Sequence, residues 1–172
     1  MHRLLGGAFI LTGCLGMGLY YKEQLGRRLY YMRQLQNLLA MLMSEIRFGR
    51  ATLPECCRKL SGSMPEPIAS GLSDIYERSG VQNGEGFFTL FITGMRQCLS
   101  KLPLLPEDVE AFLWFAEHEG LQDGQLQLKM LQESYDRLHS SILLQESQEK
   151  KGGRLAVSLG AMGGLLLVIV LI

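Results

Sequence analysis

Two long apolar runs without a single charged side chain close the chain at either end, residues 4–21 and residues 155–172. Every acidic residue falls between Glu23 and Glu149. A net charge of zero over 172 residues therefore conceals a strongly segregated pattern, two apolar ends around one polar middle. The second run holds eleven Leu, Ile or Val residues in 18. At ~1.5 Å rise per helical residue it covers most of a ~30 Å hydrocarbon layer, so it reads as a transmembrane helix.

The first run is as long but includes Gly6, Gly7, Gly13, Gly16 and Gly18, which contribute little apolar area. Three readings of it compete: a retained anchor, a cleaved signal peptide, and a lipoprotein signal whose Leu11-Thr12-Gly13-Cys14 would be acylated at Cys14. The apolar run continues beyond Cys14 through Leu15, Met17, Leu19, Tyr20 and Tyr21, and no small-residue cleavage site follows. Both features favour the anchor. Basic residues set the orientation: Lys22, Arg27, Arg28 and Arg33 follow the first run, and Lys150, Lys151 and Arg154 precede the second. Such flanks stay on the cytoplasmic side, which assigns the middle segment there. The expected organisation is an N-terminal span over 1–21, a cytoplasmic domain over 22–154 and a C-terminal span over 155–172.

The middle segment is patterned for helices throughout. Leu25, Leu29, Met32, Leu35, Leu39, Leu42 and Ile46 recur at helical steps and predict one long amphipathic helix to Phe48, ended by Gly49. Thr52-Leu53-Pro54-Glu55 supplies a capping box for a short helix to Leu60. Further helices are expected from Pro67 to Gly80, around Phe88 to Leu99, from the Pro103 and Pro106 break to Gly120, and after Asp123, the last leading directly into the second run. With no period-2 alternation, the fold class is all-α: a bundle of about six helices flanked by two transmembrane helices. Cys56, Cys57 and Cys98 form no even framework and suit a reducing compartment, with the vicinal pair read as helix packing.

No catalytic signature emerges. There is no Walker A sequence and no G-x-S-x-G, His118-Glu119 lacks a second histidine, and Ser147-x-x-Lys150 falls on a polar helix end. No cofactor or metal is expected. Residues 22–59 carry eight basic and three acidic residues, residues 60–149 five basic and fourteen acidic. Basic ends beside apolar runs suit anionic headgroups rather than nucleic acid. The acidic residues Glu107, Asp108, Glu110, Glu117, Glu119 and Asp123 form a candidate face for a basic partner, the first three also complementing a helix N-terminus. Within the apolar runs, Ala8, Thr12 and Gly16, and likewise Ala156, Gly160 and Gly164, recur every fourth residue, a spacing that permits close packing of membrane helices.

Several stretches together resemble the stage III sporulation protein AB family of endospore-forming bacteria. They are Leu4-Leu5-Gly6, Arg33-Gln34-Leu35-Gln36, Ser44-Glu45-Ile46-Arg47-Phe48-Gly49, Thr52-Leu53-Pro54-Glu55, Gly120-Leu121-x-Asp123, Leu159-Gly160 and Gly163-Gly164-Leu165-Leu166. The resemblance implies a noncatalytic membrane subunit of the complex that joins mother cell to forespore. It also implies a soluble domain similar to the cytoplasmic domains of type II secretion and type IV pilus platform proteins. The expected partners are then the membrane, a cytoplasmic secretion-type ATPase and other membrane components of the sporulation channel. An acylated lipoprotein with an extracytoplasmic helical domain is the alternative.

Overall fold

The computed structural model describes the backbone of residues 2–49, 51–80, 86–117 and 124–171, and within these the side chains of residues 23–148 together with Gly13, Gly16 and Tyr20. These residues form α1 (His2–Ser44), a π-helical turn (Glu45–Gly49), α2 (Leu53–Ser61), α3 (Ile68–Ser79), α4 (Phe87–Leu99), α5 (Pro106–Glu117) and α6 (Gly124–Leu171), with no strand among them. The first and last helices, of 43 and 48 residues, continue unbroken from the polar middle into the apolar ends. Among the described residues no helix is long and apolar enough to cross a membrane. The side chains of the two expected spans lie outside the described residues, apart from Gly13, Gly16 and Tyr20.

The chain divides into two compact units, Tyr30–Ile142 and the pair Met1–Leu29 with Leu143–Ile172. The division falls inside both long helices rather than at the ends of the apolar runs. Residues 22–29 and 143–154 therefore group with the apolar ends, because each helix passes the expected border without a break.

In the Tyr30–Ile142 unit, α1 buries Met32, Leu35, Leu39 and Leu42 of the expected stripe and Leu38 beside them, while Ile46 is only partly buried. From α3, Ile68, Leu72 and Ile75 join the core, and from α4, Phe91, Met95 and Leu99. Phe91 and Phe115 meet edge to face at 5.5 Å, and Phe112 stands 6.4 Å from Phe115, an aromatic cluster that ties α4 to α5. The Phe115 amide donates to the Ser134 hydroxyl at 2.9 Å, linking α5 to α6 inside the core. Cys56 and Cys57 are fully buried, and burial pushes the Cys57 thiol up to about 12. They pack as a structural pair, since a protonated, desolvated thiol is a poor nucleophile.

Close approach of α3 and α4 requires glycine at two places. A Cβ on Gly71 would stand 3.0 Å from Cys98 Cβ, and one on Gly94 2.7 Å from Ile75 Cγ1. The Cys98 thiol donates to the Pro67 carbonyl at 3.0 Å, fastening the start of α3 to the end of α4. The capping box forms as its sequence predicts: the Thr52 amide donates to Glu55 Oε2 at 2.8 Å, and the Thr52 hydroxyl adds a bond to the same oxygen at 2.9 Å. These two bonds hold the Glu55 carboxyl below the ordinary carboxylate range.

In the other unit, α1 and α6 are joined by Arg28, whose Nη1 donates to Gln145 Oε1 at 2.8 Å. Gln145 is only 3 % exposed, yet its Nε2 has no hydrogen-bond partner among the described residues. Nearby on α6, Leu143 and Leu144 are 53 % and 66 % exposed.

Candidate partner-binding surface

The six candidate acidic residues do not make one face. Asp108 is 1 % exposed, and its Oδ2 accepts the Leu105 amide at 3.0 Å. Leu105 precedes Pro106, the first residue of α5, so Asp108 occupies the third helical position and satisfies an amide that the helix start leaves free. The expected partner-binding role for Asp108 is corrected accordingly: the side chain is turned inward as a helix-start clamp and is withdrawn from the surface. Glu117 is exposed but already engaged, with Arg96 Nη2 at 2.6 Å across α4 and α5. Glu119 and Asp123 lie outside the described residues. What is left is a smaller acidic site, Glu107 and Glu110, both exposed and neither ion-paired among the described residues.

Glu110 lines a groove of about 250 Å³ between α4 and α5. Leu99 and Leu102 on the α4 side and Leu104, Pro106 and Val109 on the α5 side form its apolar walls, and Arg96, Ser100 and Glu110 complete the lining. The two prolines force this shape. Neither Pro103 nor Pro106 can donate a backbone hydrogen bond, so the chain between α4 and α5 runs irregularly and presents its leucines sideways.

A second surface lies outside the expected sites. The α-helical hydrogen-bond ladder of α1 stops at Ser44 and the next five residues wind as a π turn. Phe48 on this turn is 79 % exposed, the largest exposure of any large apolar side chain described. A π turn widens the helix and rotates the residues that follow out of the preceding apolar stripe. The sequence does carry a signal for this: Phe48 comes two residues after Ile46, out of step with the threes and fours before it. Around it the charge is basic. Arg47 is exposed and has no carboxylate partner among the described residues, Lys59 pairs with Glu45 at 2.6 Å, and the Arg58 guanidinium lies 5.3 Å above the Tyr76 ring.

Other clusters are accounted for by local partners. His139 Nδ1 is 2.9 Å from Gln36 Nε2 and the ring stacks on Tyr135. His118 lies outside the described residues. Among the described residues no group of three or more His, Cys, Asp or Glu is placed to hold a metal ion. A cleft of about 180 Å³ between α3 and α4 is walled by Ser70, Asp74, Arg78, Gln97 and Lys101 over Cys98, whose thiol is pushed up to about 11 by burial. Of the small residues expected to serve membrane packing, Gly16 has open space where a Cβ would stand. The side chains of Ala8, Thr12, Ala156, Gly160 and Gly164 lie outside the described residues.

Comparison with known proteins gives a consistent result. A curated protein from Bacillus subtilis (strain 168), stage III sporulation protein AB, is 24 % identical over 171 residues, covering 99 % of each chain. A solved structure of a stage III sporulation protein AB superposes with a TM-score of 0.65 at 20 % identity, covering 73 % of this chain and 98 % of that one, which shows a shared fold. The model of the stage III sporulation protein AB family matches residues 3–172, so the chain belongs to that family and its role lies in sporulation.

Proposed function

We propose that the chain is a noncatalytic, membrane-anchored platform subunit of the complex between mother cell and forespore, its helical bundle docking a cytoplasmic secretion-type ATPase. The observation that carries the reading is the Arg28–Gln145 bond, which fixes the register of α1 against α6. Seven residues before Arg28 stands Tyr21, the last of the first apolar run, and ten residues after Gln145 stands Leu155, the first of the second. In antiparallel helices at ~1.5 Å per residue, the two runs then begin within about 5 Å of the same level. Two apolar runs of equal length, level at their polar ends and flanked there by Lys22, Lys150, Lys151 and Arg154, suit a hairpin that enters a bilayer from its cytoplasmic side. Other membrane components of the channel would pack on the spans.

The test is made on the full chain in isolated membranes. The reading expects resistance to alkaline extraction, an intact N-terminus by mass, and co-purification with the ATPase without nucleotide turnover by the chain itself. Diacylglycerol on Cys14 with the preceding residues missing would establish the lipoprotein alternative instead.

A further inference from the structure

The geometry points to head-to-tail self-association of the bundle: Phe48 of one copy fills the groove between α4 and α5 of the next, and Arg47 pairs with Glu110. The contact lies within the Tyr30–Ile142 unit and is independent of the ATPase reading, while its measurement rests on the membrane anchoring proposed above, which resistance to alkaline extraction checks separately. Phe48 is an apolar knob that its own unit leaves 79 % exposed. The groove walled by Leu99, Leu102, Leu104, Pro106 and Val109 has a volume of about 250 Å³. Cavities of ~150 Å³ take up benzene, so a phenyl ring fits there.

Charge selects this occupant over an unrelated apolar group. The knob carries Arg47 and the groove rim Glu110 with Glu107 nearby, and none of the three is ion-paired among the described residues. Arg96, also at the groove, is neutralised by Glu117 and so does not repel an incoming arginine. Knob and groove share no residue, so each copy offers one of each. Contacts of that kind are heterologous and propagate into a ring or a filament. A single knob is a small interface and is weak in dilute solution, so confinement in a membrane is the proper setting for the measurement.

The experiment uses full-length chain with Cys14→Ser, in isolated membranes under mild oxidation. The remaining cysteines are buried, with thiols held above their ordinary range, and stay silent. Gly49→Cys, which leaves the Phe48 ring in place, and Val109→Cys are co-expressed as separate single variants, and a disulfide-linked dimer is expected. Neither variant alone should give one, nor should Gly49→Cys paired with Ser70→Cys, an exposed position in the other cleft. The double variant Gly49→Cys/Val109→Cys should give a ladder extending past the dimer. Phe48→Ala added to the pair should abolish the product; so should Arg47→Glu or Glu110→Arg, and these two together should restore it. A product from Gly49→Cys alone, a ladder that stops at the dimer, a product that survives Phe48→Ala, or no product from the co-expressed pair each overturns the proposal. The last of these would assign the Phe48 knob to a different protein.

Discussion

The bundle and the paired ends of α1 and α6 treat their polar and apolar groups in opposite ways. In the bundle, Asp108 is buried but bonded, Ser134 is buried but bonded, and Phe91, Phe112 and Phe115 are enclosed. In the other unit, Gln145 is buried with an amide nitrogen that has no partner among the described residues, and Leu143 and Leu144 are exposed. A buried polar group without a partner costs ~1–3 kcal/mol, so the second region carries a penalty that the first avoids. The lesson is that the bundle bonds the polar groups it buries and leaves Phe48 as its most exposed apolar side chain, whereas the described part of the helix pair buries a polar group it does not fully satisfy.

That contrast can be broken by substitution. The largest effect is expected from Phe91→Ala, which removes the ring at the centre of the aromatic cluster. Urea unfolding of the detergent-solubilised chain, followed by circular dichroism, should show a loss of ~3–5 kcal/mol. A cost below about 1 kcal/mol would mean the cluster is loosely packed. Asp108→Ala comes next, leaving the Leu105 amide without its acceptor and opening a small void; ~1–3 kcal/mol is expected in the same assay. An unchanged midpoint would return Asp108 to the surface.

Gln145→Leu should run the other way. It deletes the unbonded amide, and Arg28, only half-buried, recovers water in place of its lost partner. Stability equal to the parent within about 1 kcal/mol, or higher, is expected, because replacing a poorly satisfied polar group by an apolar one of similar size is often neutral. A loss as large as that of Asp108→Ala would erase the difference between the two regions. The smallest effect concerns the surface of the bundle. Glu55 has a folded-state pKa below its unfolded value, so its bond to Thr52 stabilises above the unfolded pKa of ~4.3 and is lost as pH falls through the lower folded one. Glu55→Gln should therefore flatten the acid limb of the stability profile while changing neutral stability little. Parallel profiles for parent and variant would remove Glu55 from the acid response.

Much of the fold is legible in the order of the residues. The stripe from Met32 to Leu42 needs only the 3.6-residue period, and Thr52 with Glu55 needs only the chemistry of free amides at a helix start. The burial of Cys56 and Cys57 follows from their place on the inner side of a nine-residue helix. The partner-binding surface is less readable. Six carboxylates close together in sequence suggest one face, but a carboxylate in the first turn of a helix can turn back to the backbone, and Asp108 does so. Glu117 meets Arg96, 21 residues away, which no local pattern announces.

The two apolar ends were determined by composition alone, as were the all-helical class and the long stripes, because these depend on the solvation of each side chain and on the period of one helix. Tertiary structure decided the rest. It set the level at which the two long helices meet through Arg28 and Gln145, the inward turn of Asp108, and the outward placement of Phe48 on the π turn. Each of these depends on which groups from distant parts of the chain compete for the same space and the same hydrogen bonds, and that competition exists only once the helices have packed.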